Sequence, residues 1–108
     1  MPMYVMDEER RPVKVEDPSE WADWMGTHDA AIVVGHVVIQ GVLVSTIFTG
    51  ADIPQHEAAP KVFETLVRYT NDMQDQERYS SWEEAKAGHA RIVAAVLAGI
   101  TIGREPRC

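Results

Sequence analysis

The sequence predicts an α+β fold in which an antiparallel β-sheet packs against a C-terminal amphipathic helix. Three features predict it: two Val- and Ile-rich runs, 31–39 and 42–49, that meet at Gln40-Gly41; an alternating run at 62–69; and an apolar stripe at helical spacing from Trp82 to Val96. The expected arrangement is an N-terminal hairpin, a short helix, a three-strand meander and the final helix, all in one α+β domain over 1–103, with 104–108 as a disordered tail.

Tyr4-Val5-Met6 and Val13-Lys14-Val15 are short β-type runs around the polar connector 7–12, which suits a hairpin. Asp17-Pro18-Ser19-Glu20 marks a helix start: Asp17 accepts from first-turn N–H groups, Pro18 fits the first helical position, and Glu20 stands where a capping box requires it. Trp21, Trp24 and Met25 then share one face, and Gly26 ends the helix. So short a helix is unstable alone in water, so its tryptophans are either buried on the sheet or presented to a partner.

Gln40-Gly41 is a two-residue turn in which Gly takes a positive φ. Alternation places Val42, Val44, Thr46 and Phe48 on one face and Leu43, Ser45, Ile47 and Thr49 on the other; both are apolar enough for a strand covered at least partly on each side. Residues 50–60, with Pro54 and Pro60, read as a loop. In the next strand Phe63, Thr65, Val67 and Tyr69 oppose Val62, Glu64, Leu66 and Arg68. Residues 71–77 read as a polar, acidic turn. Ser80 with Glu83 forms a capping box, Trp82, Ala85, His89, Ile92, Val93 and Val96 form the buried stripe, and Gly99 stops the helix. Burial of Trp82, Ile92 and Val96 contributes on the order of 5 kcal/mol before entropy costs. Ile100-Thr101-Ile102 adds a few extended residues.

At 108 residues, 45% apolar and 25% charged, the chain is of ordinary globular composition. One core burying roughly 65% of the unfolded surface is expected, without metal or disulfide staples. The net charge of −7 is uneven: residues 1–29 carry eight carboxylates against three basic groups, a balance of −5. A basic footprint for phosphate is missing, which argues against direct nucleic-acid binding. The stretch 30–48 has the length of a membrane span, but Gly35, His36, Gln40, Gly41, Ser45 and Thr46 interrupt it and no Lys or Arg flanks it, so no membrane is expected. The lone Cys108 excludes a disulfide framework, and the N-terminus lacks a secretory signal, so a cytoplasmic setting is expected.

The runs Val44-Ser45-Thr46-Ile47-Phe48, Val62-Phe63-Glu64-Thr65-Leu66-Val67, Arg78-Tyr79-Ser80-Ser81-Trp82-Glu83-Glu84-Ala85 and Ala87-Gly88-His89-Ala90-Arg91 occur in order over roughly 42–97. In these the chain resembles small proteins encoded by tailed phages, prophages and other mobile elements. The resemblance implies residence in a host cell's cytoplasm under phage or mobile-element control, and supplies no reaction. Members of that group carry an Asp-His pair in the loop after the first of these strands; here Asp52 and His56 are separated.

Of the four histidines, His89 has two readings. It is either a general base or ligand meeting Glu64, Asp52 or His56 in a pocket between sheet and helix, or a core histidine tied to a sheet carbonyl or hydroxyl. The second is the commoner fate of a histidine in an apolar stripe. No His-x-x-x-His spacing, thiolate cluster, Gly-rich phosphate loop or nucleophile elbow is present, so neither metal nor cofactor is expected. Glu64 reads by default as part of a charged, exposed strand face. The acidic N-terminal third either keeps a small domain soluble or presents a negative face to a basic protein, with Trp21, Trp24, Asp17, Glu20 and Asp23 as the candidate partner surface.

The leading expectation is a non-catalytic protein-binding module acting on a host or phage protein, in an anti-defence or inhibitory role. The rivals are a small enzyme or ligand binder built on His89, Glu64 and Asp52, and a homo-oligomeric structural or accessory protein whose apolar strands pair as a homodimer across a two-fold axis.

Overall fold

A computed structural model describes residues 3–51 and 60–99. Within them run β1 (Met3–Met6), β2 (Pro12–Val15), α1 (Pro18–Thr27), β3 (Val33–Ile39), β4 (Val42–Phe48), β5 (Phe63–Arg68), β6 (Gln74–Tyr79) and α2 (Trp82–Leu97). β1 and β2 form a two-stranded antiparallel hairpin, and β3 to β6 form a four-stranded antiparallel meander in chain order, so the fold is α+β. Of the described helices, none is long and apolar enough to cross a membrane.

The β3–β4 turn falls at Gln40-Gly41, and both residues take positive φ, +51° and +82°. That backbone matches the right-handed twist of the flanking strands and pairs Ile39 with Val42. Alternation then buries Val44, Thr46 and Phe48 of β4 and Phe63, Thr65 and Val67 of β5 on one face. α2 covers that face with Ala85, Gly88, Ile92 and Val96 buried. The core divides in two: Met6, Phe48, Val62, Phe63, Tyr79 and Ala85 at one end, and Val44, Val67, Ile92 and Val96 at the other.

The meander has one strand more than expected. Residues 74–79, of which 74–77 read as polar turn, pair with β5 from Phe63↔Tyr79 to Arg68↔Gln74. The turn is confined to 70–73, where Asp72 takes φ +66° and Tyr69 N–H donates to the Met73 carbonyl at 2.8 Å. β6 is an edge strand in which Tyr79 alone is buried, so no hydrophobic alternation announces it. Its length displaces the helix start by one residue: Ser81 is the N-cap, accepting from Glu84 N–H at 3.1 Å and donating to the Glu84 carboxylate at 3.0 Å. Both Ser80-x-x-Glu83 and Ser81-x-x-Glu84 satisfy the capping pattern; keeping Tyr79 opposite Phe63 selects the later one. The helix ends at Gly99, with φ +77°. Asp52, His56, the extended residues expected at 100–102 and the tail expected at 104–108 lie outside the described residues.

Asp17 caps α1 as expected, accepting from Ser19 N–H at 2.9 Å and from its hydroxyl at 2.8 Å. The helix runs through Gly26 to Thr27. It lies against β1 and β2, and reaches the main core through Trp24, whose ring meets Phe48 edge-on at 5.8 Å. The N-terminal hairpin is tied on by Tyr4 N–H donating to the Gly50 carbonyl at 2.8 Å and by Arg10, whose guanidinium stands 4.4 Å from the centre of the Trp82 ring.

Two glycines allow α2 to lie close to the sheet. A side chain at Gly88 would come within 2.4 Å of the Tyr79 ring, and one at Gly35 within 2.5 Å of the His89 ring. Gly88→Ala and Gly35→Ala should each lower stability by about 1–3 kcal/mol through overpacking. The exposed helical Gly26 has nothing within 4 Å, so Gly26→Ala should raise stability by roughly 0.5–1 kcal/mol. Urea denaturation of the three variants checks the contrast, and equal effects at all three sites would refute the close approach.

Candidate functional site

A polar layer separates the two halves of the core. Strand register sets Gly35 beside Thr46, Thr46 beside Thr65, and Thr65 beside Glu77, all on the face under α2. Thr46 and Thr65 are fully buried, and His89 descends on them from the helix. Tyr79 Oη donates to Thr65 Oγ1 at 3.0 Å, Thr65 and Thr46 share a bond at 2.6 Å, and Thr46 Oγ1 lies 2.7 Å from His89 Nδ1. Each hydroxyl has one proton. With Tyr79 as donor, every proton is used only if Thr65 donates to Thr46 and Thr46 donates to His89 Nδ1. The imidazole is then neutral, with its proton on Nε2 over Gly35.

The electrostatics agree with this direction. Burial, helped by nearby His36, holds the His89 imidazole below its ordinary value, and burial raises the Tyr79 phenol above its own. At the rim, Glu77 pairs with Arg91 of α2. His89 is therefore a core histidine tied to a sheet hydroxyl. Thr46, Thr65 and Tyr79 carried no functional expectation from the sequence; the available signal was two hydroxyls on an otherwise apolar strand face.

Glu64 is not brought to His89. Its neighbour Thr65 faces α2, so Glu64 projects from the opposite side of the sheet, 3.4 Å from Arg78 Nη1. This corrects the expected pocket, and the strand period that separates Glu64 from Thr65 is the reason. Glu64 is also a half-buried ion-pair partner rather than a freely exposed charge. Arg78 Nη2 reaches the carbonyls of Ala51 at 2.9 Å and Lys61 at 3.2 Å, so one guanidinium bridges these two residues. Among the described residues, no group of three His, Cys, Asp or Glu side chains is placed to hold a metal ion.

The candidate partner surface divides. Trp21 and Trp24 are half-buried packing residues: Trp21 lies against Gly50, and Trp24 packs on Phe48 and stacks on His28 at 4.3 Å. Asp17 is occupied as the helix cap. Glu20 and Asp23 are exposed, and with Trp24, Thr27 and His28 they follow one strip of α1 at spacings of three and four. At the C-terminal end of that strip lies a half-open cleft of about 480 Å³, lined by Met6, Asp7, Glu8, Arg10, Trp24, His28 and Ala31. The Asp7 carboxylate accepts from Glu9 N–H and Arg11 N–H at 2.9 Å, which lowers its pKa, whereas Glu8 makes no ion pair among the described residues. A second cleft of about 230 Å³ lies between Ile39, Val42, Tyr69 and Val96. None of Thr46, Thr65, Tyr79 and His89 lines either cleft.

Thr65→Val keeps the shape but strands the protons or lone pairs of Tyr79 and Thr46, and should cost about 1–3 kcal/mol in chemical denaturation. A depressed histidine pKa means that the unfolded chain binds the extra proton first. The contribution of His89 is therefore complete above its ordinary pKa of 6.5 and falls away as pH drops through and below that value. His89→Gln should remove that part of the acid-side fall in Tm, and an unchanged profile would contradict the assignment. Comparisons of the chain with models of protein families, with curated proteins and with solved structures find no match.

Proposed function

We propose that this protein is a non-catalytic binding module of a phage or mobile genetic element that acts in the host cytoplasm by occupying a basic segment of a host or phage protein. The observation that carries this reading is the cleft at the end of α1. Its walls are apolar, from Met6, Trp24 and Ala31; its rim holds the carboxylates of Glu8 and of Asp7, the latter ion-paired with Arg11, beside Arg10, whose guanidinium is drawn onto the Trp82 ring; and it lies within the third of the chain that has a charge balance of −5. Such a site fits a lysine or arginine side chain, whose apolar stem packs on the walls while its cationic tip meets the rim. Glu20 and Asp23 extend the negative strip along α1 and favour encounter with a positively charged surface. The phage setting rests on the resemblance of the runs in 42–97. The separation of Glu64 from His89 removes one of the groups on which the enzyme reading was built.

The test is differential capture. Wild type and the triple charge reversal Glu8→Lys, Glu20→Lys, Asp23→Lys change only exposed side chains, so both should fold alike by circular dichroism. From lysates of uninfected and phage-infected cells, wild type should retain a specific protein that the variant loses by about tenfold or more, equal to ~1.4 kcal/mol, and the capture should weaken as salt rises. A partner retained equally by both proteins would overturn the reading.

A further inference from the structure

We propose that β3 is a self-association edge: two copies of the chain pair their β3 strands antiparallel about a two-fold axis, joining two four-stranded meanders into one eight-stranded sheet. This inference uses residues remote from the cleft of α1 and stands independently of the function proposed above.

The two edges of the meander differ in chemistry. β6 reads Gln-Asp-Gln-Glu-Arg-Tyr, the charged and polar composition that discourages further strand pairing. β3 reads Val-Val-Gly-His-Val-Val-Ile, with no lysine, proline or carboxylate. No other strand among the described residues pairs with its outer side, where a row of backbone N–H and C=O groups is set to accept one. A register irregularity is confined to Val33–Gly35, so the rest of the strand runs regularly against β4. On the sheet face away from α2, Val33 is 42% and Val38 61% exposed, beside Ile47 and Leu43, with the uncharged pair His36 and Ser45 between them.

Charge identifies the occupant as a second copy. The chain carries −7, yet residues 30–51 contain no Asp, Glu, Lys or Arg, although Asp29 and Asp52 bound the stretch. Elsewhere two copies of an acidic chain repel; here they meet without like charge, and a charged partner finds nothing to complement. The antiparallel arrangement also places the two Asp29 carboxylates at opposite ends of a seven-residue strand pair, about 24 Å long. That exceeds the ~8 Å over which charges interact at physiological salt. The pairing is isologous and closes on itself, whereas β3 against β6 of another copy would propagate as a filament and set carboxylates against a strand with no cation.

Sedimentation velocity of the full chain over a wide micromolar range tests this, together with amide hydrogen exchange. Wild type should sediment as a dimer with slow exchange at the amides of His36 and Val38, which point away from β4. Val38→Lys, a change at an exposed position, should sediment as a monomer with unchanged circular dichroism, a Tm that no longer depends on protein concentration, and fast exchange at those two amides. A wild type that is monomeric at every concentration would overturn the inference. So would a dimer in which the amides of His36 and Val38 exchange freely, or one abolished by Leu66→Lys on the outer face of β5 and retained by Val38→Lys, because either result places the contact on the sheet face instead of its edge.

Discussion

The seating of α2 on the meander depends on a reciprocal fit: a helix histidine over a sheet glycine, and a helix glycine over a sheet tyrosine. His89 fills the space above Gly35, and the Tyr79 ring fills the space beneath Gly88. Apolar packing alone tolerates sliding, since valine and isoleucine lie at both ends of the interface. The layer between them does not tolerate it. A shift of one helical turn would break the Thr46–His89 bond and leave the Thr46 hydroxyl and the imidazole Nδ1 short of a partner, at about 1–3 kcal/mol for each group, while the Thr46–Thr65 and Thr65–Tyr79 bonds, which lie within the sheet, would survive. That loss is a sizeable fraction of the stability of an ordinary domain, about 5–15 kcal/mol. The buried polar groups thus select one helix position among several that hydrophobic burial would accept.

That seating decides which surfaces remain for recognition. With α2 on one face, the opposite face is left to Leu43, Ile47, Leu66 and the Glu64–Arg78 pair, and the outermost strand on the apolar side is β3. The N-terminal hairpin and α1 close one end of the core through Met6, Tyr4 and Trp24, so their own outward sides carry the acidic strip. Charge and apolarity are segregated: carboxylates crowd the first third of the chain, and none occurs between residues 30 and 51. A molecule arranged in this way has two chemically distinct surfaces, one rich in carboxylates and one without charged side chains.

Much of this was legible in the sequence, for identifiable reasons. The turn at Gln40-Gly41, the cap at Asp17 and the stop at Gly99 are written in local backbone chemistry, which tertiary contacts did not override. Alternation assigned the buried faces of β4 and β5 correctly because both strands are central and one face is covered. β6 was illegible because it is an edge strand whose only buried residue is Tyr79. The candidate site was legible in part. His89 was recognisable as a helix histidine awaiting a sheet hydroxyl, but which hydroxyl depends on the register of β4, β5 and α2 together, which local sequence does not specify. Glu64 was drawn into the same pocket by chemistry alone, against the strand period that turns it away.

The hydrogen-bond chain from Tyr79 to His89 is most directly tested by nitrogen NMR of the His89 ring at neutral pH. The chain requires an unprotonated Nδ1 that accepts from Thr46 and a protonated Nε2, in a ring whose pKa burial holds below the ordinary 6.5. A proton resident on Nδ1, or a ring that gains its second proton as readily as one in free solution, would contradict it.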